Sequence, residues 1–186
     1  MKIRKIAYLS TLFAFLLPTL VVATVVLSYT YPTSTTGTAP EVYLAQGPNY
    51  LAANAMGLFY ANQVGNPANS ANISSGTTIY FNYTYGANNE ALLNVLEIVN
   101  NVPSGRTVTI TFDTVSLPTG VTMWISTSTT QLSYTVTSGV IHITGGTQVT
   151  AGYSTTLSSG TYYIGFLFSN TAKAGTGIIA FSYTIS

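Results

Sequence analysis

Along most of this chain, apolar and polar residues alternate with a period of two, the signature of half-buried β-strands. Residues 24–31, Thr-Val-Val-Leu-Ser-Tyr-Thr-Tyr, set Val25, Leu27, Tyr29 and Tyr31 on one side and Thr24, Val26, Ser28 and Thr30 on the other. In residues 77–85, Ile79, Phe81, Tyr83 and Tyr85 share a face, opposite Tyr80, Asn82 and Thr84. In residues 106–115, Val108, Ile110 and Phe112 oppose Thr107, Thr109, Thr111 and Asp113. Tyr162, Ile164, Phe166 and Phe168 repeat the pattern, as do Ile179, Phe181, Tyr183 and Ile185 at the end of the chain.

Turn residues divide these runs. Ser138-Gly139 predicts a tight hairpin between residues 131–137 and 140–144. Leu117-Pro118-Thr119-Gly120 turns the chain into residues 121–126, where Trp124 is expected to anchor the core by its size. Residues 41–44 form a short strand before the Gln46-Gly47-Pro48-Asn49 turn, and residues 148–157 another before Ser158-Ser159-Gly160. Residues 50–60 fit a helical turn or a strand, and residues 64–76 read as a loop. Residues 91–100 carry Leu92, Leu93, Leu96 and Val99 at helical spacing, yet the turn at Asn100–Gly105 leads straight into the next run, so a strand is expected. About ten strands at this spacing predict an all-β fold, a jelly-roll or immunoglobulin-like β-sandwich. No fixed-period repeat suggests a solenoid.

Before the first strand, residues 1–23 read as a signal peptide: Lys2, Arg4 and Lys5, an apolar run from Ile6, and Val21-Val22-Ala23 before a cut after Ala23. The run also has the length of a retained membrane anchor or of a type IV pilin helix cut near Lys5, although Pro18 interrupts a long helix. Residues 32–40, Pro-Thr-Ser-Thr-Thr-Gly-Thr-Ala-Pro, form a linker that extends roughly 30 Å. It could carry the strand at residues 24–31 out to a neighbouring copy, or connect it as an ordinary loop to its own sheet. Residues 41–186 form the sandwich domain.

Composition narrows the function. Charged residues make up 5%, far below the usual quarter, so hydroxyl and amide groups must solvate the surface. Beyond the leader, Arg106 and Lys173 face Glu41, Glu90, Glu97 and Asp113, a net charge of about −2. Nothing would neutralise phosphates, which argues against a nucleic-acid partner. Little charge guards the sheet edges against association. With no cysteine, disulfides and thiolate chemistry are excluded.

Candidate chemistry is sparse. His142, the one histidine, alternates outward between Ile141 and Ile143 and has no second histidine for a zinc site. The four carboxylates are scattered, and no nucleophile, phosphate-loop or dinucleotide motif is present, so neither an enzyme nor a cofactor or metal is expected. Two N-glycosylation triplets, Asn72-Ile73-Ser74 and Asn82-Tyr83-Thr84, predict N-linked glycans on a secreted surface, though a chain this rich in Asn, Ser and Thr would contain such triplets by chance.

This layout resembles archaeal thread and bundling-pilus subunits, a TasA-like group of filament proteins. The likeness rests on the leading strand at residues 24–31, on Glu41-Val42-Tyr43-Leu44-Ala45-Gln46-Gly47-Pro48-Asn49 and on Leu93-Asn94-Val95-Leu96-Glu97-Ile98-Val99-Asn100-Asn101. It implies a donor-strand-exchanging subunit of an extracellular, cell-surface fibre, a homopolymer of head-to-tail copies used in adhesion and biofilm formation. Val25, Leu27, Tyr29 and Tyr31 would be the coupling side chains, and the membrane would be met only during secretion. The alternatives are a pilin with a helical core and a membrane-anchored carbohydrate-binding module.

Overall fold

In the computed structural model, residues 20–30, 41–62, 72–73, 77–84 and 89–186 are described. Residues 1–19 of the expected leader, Tyr31 and the expected linker at residues 32–40 lie outside them. Strands run in the order β1 (Leu20–Thr30), β2 (Val42–Gln46), β3 (Phe59–Asn62), β4 (Asn72–Ile73), β5 (Thr78–Thr84), β6 (Glu90–Asn100) and β7 (Val108–Ser116). They continue with β8 (Val121–Ser126), β9 (Ser133–Thr137), β10 (Val140–Thr144), β11 (Gly146–Val149), β12 (Ser154–Leu157), β13 (Gly160–Phe168) and β14 (Gly175–Ile185). A short helix, α1 (Tyr50–Ala55), precedes β3.

Two six-stranded sheets make the expected sandwich. The first has the order β12-β7-β14-β1-β5-β3, the second β11-β8-β13-β6-β2-β4, and β9-β10 form a separate hairpin. Alternation supplies the core. Ile79, Phe81 and Phe112 from the first sheet are fully buried against Leu96, Ile98 and Phe166 from the second. Aromatic rings stitch the layers together: Phe81 meets Phe166 edge-on at 4.7 Å, and Tyr83 stacks on Phe168 at 4.9 Å. Asn100 ties the second sheet to the turn after β12, donating to the Leu157 and Ser158 carbonyls and accepting from the Val102 N–H. A buried amide must spend its polar groups this way to avoid a desolvation penalty.

Several sequence expectations are corrected. The ambiguous stretch at residues 50–60 splits into α1, which buries Tyr50 and Ala53, and the start of β3, separated by Gly57 at φ +69°. The expected loop at residues 64–76 contains β4, which pairs with β2. Residues 148–157 contain two strands in different sheets, β11 ending at Val149 and β12 beginning at Ser154. Trp124 is not a core anchor. Val121, Met123 and Ile125 take the inward positions of β8, so alternation puts Trp124 half-buried on the outer face, where its indole N–H donates to the Thr122 hydroxyl.

The strand reading of residues 91–100 holds, with a bulge that explains the helical spacing. Leu96 pairs with Ile164 and Leu92 with Phe166, so β6 carries two extra residues there. At the bulge Asn94 adopts φ +57°, a region that asparagine tolerates better than most side chains. Its amide donates to the Leu132 carbonyl at 3.0 Å, and the Leu132 N–H donates back to it at 2.9 Å. A buried side chain thereby supplies the ladder contacts that hold the base of the β9-β10 hairpin.

Candidate strand-exchange slot

The leading strand occupies the middle of the first sheet. Along one edge, residues 23–30 of β1 run parallel to β14, from Ala23 opposite Gly175 to Thr30 opposite Ser182. Along the other, residues 20–26 run antiparallel to β5, from Leu20 opposite Thr84 to Val26 opposite Thr78. Among the described residues no other strand joins β14 to β5. Without β1 the sheet would divide into β12-β7-β14 and β5-β3, leaving a slot with a bare ladder on each wall. In a single chain, the only leading strand on offer to the slot is the chain's own.

The walls are set by local sequence. On β5, the Asn82 N–H donates to the Leu58 carbonyl on the β3 side. Hydrogen-bonding direction alternates along an antiparallel strand, so Phe81 and Tyr83 turn their main-chain groups toward β1. Their side chains are buried in the aromatic core. On β14, Gly175 and Gly177 flank the slot opposite Ala23 and Val25. A Cβ on Gly177 would collide with the Ser116 carbonyl, so glycine is required for β7 to approach this closely.

The expected coupling residues Val25, Leu27 and Tyr29 fall in β1, and Tyr31 lies outside the described residues. The strand also starts earlier than alternation indicates, at Leu20, so the expected cut after Ala23 falls inside it. The two walls were not legible in the sequence as a site. β5 and β14 read as two good strands, but nothing in their patterns says that they flank a third from the opposite end of the chain.

Beside Asn82 of β5, a cleft of about 380 Å³ opens between the sandwich and the β9-β10 hairpin. Asn82, Leu92 and Phe168 line one side, Tyr134 and Ile141 the other. The hairpin registers Val136 with Ile141 and Tyr134 with Ile143, which gives it one apolar face.

The other candidates do not assemble into a site. Asn82 lies on the outer face of β5, and its Nδ2, the atom that would carry a glycan, donates to the Gly57 carbonyl. Asn72 pairs through its backbone with Ala45 in the second sheet, whereas Asn82 belongs to the first. His142 is exposed, and among the described residues no three histidine, cysteine or acidic side chains are placed to hold a metal. Glu97 shares the outer face of the second sheet with its cross-strand neighbour Tyr163, and partial burial pushes its carboxyl above the usual range. Among the described residues no helix is long and apolar enough to cross a membrane. No protein-family model matches the chain, and no curated protein matches it significantly.

Proposed function

We propose that the chain is the structural subunit of an extracellular cell-surface filament, assembled by donor-strand complementation and used in adhesion and biofilm formation. One observation carries this reading: the strand nearest the front of the chain is the centre strand of the first sheet, between β14 and β5. Between it and β2 the sequence holds residues 31–41, whose proline, threonine and glycine content suits a tether. A second copy's strand entering the same slot would meet the same two ladders. Because donor and acceptor surfaces differ, the contact is head-to-tail and propagates as an open fibre. Burying Val25, Leu27, Tyr29 and Tyr31 would contribute roughly 1.5–3 kcal/mol each at most. A strand at Leu20–Thr30 also favours this reading over a pilin whose helix runs through those residues. In the filament, Asn72 and Asn82 would carry N-linked glycans that hydrate a surface short of charge.

The test deletes residues 24–31 from the secreted chain and images the product by electron microscopy. Loss of fibres is expected, together with a rise in melting temperature when a synthetic peptide of those residues is added back. Fibres of normal appearance from the deletion would sink the reading.

A second reading has its own observation. Trp124, Tyr163 and Glu97 stand half-buried on the outer face of the second sheet, the kind of aromatic and carboxylate surface on which a sugar ring could stack. Trp124 is the only tryptophan, so its fluorescence reports on that face alone. A saturable change on titration with cellohexaose or chitohexaose would support a surface carbohydrate-binding module, and a flat titration would remove it.

A further inference from the structure

The cut expected after Ala23 removes residues 20–23 of β1. In the uncut chain these four residues lie opposite residues 81–84 of β5, whereas on β14 only Ala23 among them has a partner, Gly175. A mature strand left where β1 lies would therefore keep three partners on β5 and seven on β14. Residues 81–84 of β5 would face an empty half-slot. Phe81 and Tyr83, whose main-chain groups point into it, lie over the buried aromatic core, where unpaired polar groups are costly.

We infer that the strand donated by a second copy of this chain seats two or four residues deeper in the slot than β1 does, filling the half that leader removal opens. The inference rests on the filament reading above. An even step is required, because an odd one would turn Val25, Leu27, Tyr29 and Tyr31 out of the core face. The depth is limited by Pro32, which lacks an N–H and ends the usable strand at Tyr31.

Counting partners favours the deeper seats. Residues 24–30 moved by two meet five residues of β5 and six of β14; moved by four, they meet seven and four. Both give eleven partners, against ten for the unmoved strand. In a chain's own slot, the same move would shorten the connection to β2. A donor from another copy is free of that tether.

The chain has no cysteine, so engineered pairs report register without background. Val26, Thr78, Tyr80 and Asn82 are half-buried, which spares the core. Val26→Cys would be combined in turn with Thr78→Cys, Tyr80→Cys and Asn82→Cys in the secreted full-length chain. The mature N-terminus would be read by mass spectrometry, and fibres resolved without reductant. Directly opposed strand residues lie within disulfide reach. The expected result is a ladder of covalent multimers from the Tyr80 or Asn82 pair, with a mature N-terminus at Thr24. Multimers from the Thr78 pair alone would overturn the deeper seating while leaving strand exchange intact. Links confined to single chains, or absent from all three pairs, would overturn both. A mature N-terminus before Leu20 would also overturn the inference, since the slot would then be full.

Discussion

At the residue scale, Asn94 and Glu97 show how polar groups are managed in a chain with few charges. Asn94 answers both main-chain groups of Leu132 from a left-handed conformation. Asn94→Ala strands a buried N–H and a buried carbonyl, and should lower the unfolding free energy by about 2–4 kcal/mol in denaturant titrations. Asn94→Gly strands the same groups but accepts the positive φ, so it should be milder than the alanine variant by up to about 1 kcal/mol. Equal losses would mean that the backbone conformation is not part of the cost. Glu97 works the other way. Partial burial raises its carboxyl above the usual range, so the folded state holds the proton more tightly than the unfolded chain does. Its contribution therefore favours folding at acid pH and declines as pH rises from the usual carboxylate range through the raised value. Glu97→Gln removes that slope. Relative to the parent, its melting temperature should be higher near neutral pH, and the gap should close toward about pH 4. A gap that stayed constant with pH would assign the effect to packing. Glu97 was legible in the sequence as an isolated acid. Its burial was not, because it depends on neighbours from β2 and β13.

At the element scale, the bulge in β6 shows where a period-two reading reaches its limit. The leucines of residues 92–96 look helical because two extra residues interrupt the alternation, and the surrounding turns and flanking strands decide in favour of a sheet. The partner strand makes room with a glycine. A Cβ on Gly165 would lie 3.0 Å from the Leu93 Cα and 3.1 Å from the Leu92 carbonyl oxygen. Gly165 carries no positive φ, so the constraint is space alone. Gly165→Ala should cost about 1–3 kcal/mol by crowding the bulge. At Gly139, in the exposed hairpin turn, φ is +78° and a Cβ would meet nothing within 4 Å. Gly139→Ala should therefore lose only the backbone term, about 1 kcal/mol. Thermal melting of the two variants separates crowding from conformation, and a harmless Gly165→Ala would show that β6 and β13 can part. The hairpin was legible because Ser138-Gly139 is a local signal. The placement of Trp124 was misjudged where side-chain size was weighed above alternation.

At the scale of the whole molecule, the fold class followed from the spacing of alternating runs, whereas the joining of first strand to last did not. Pairing β1 with β14 brings together residues about 150 positions apart in the chain, and sequence pattern is silent on contacts of that range. What composition does dictate is the kind of force that would hold the proposed filament together. Beyond residue 23 there are two basic and four acidic residues. The slot is built from main-chain ladders and a buried aromatic core, with no charged side chain among Phe81, Tyr83 and residues 175–182. Salt screens exposed charges and has little to act on here. Fibres should therefore keep their length and melting temperature, within about 2 °C, between about 0.05 and 1 M sodium chloride. Guanidinium, which weakens both apolar burial and peptide hydrogen bonds, should take them apart at a midpoint well above that of the deletion variant lacking residues 24–31. Sulfate, excluded from protein surfaces, should strengthen them. Turbidity and electron microscopy across the salt series give the reading, and fibres that dissolve in sodium chloride alone would place the subunit contact on charged side chains outside the slot.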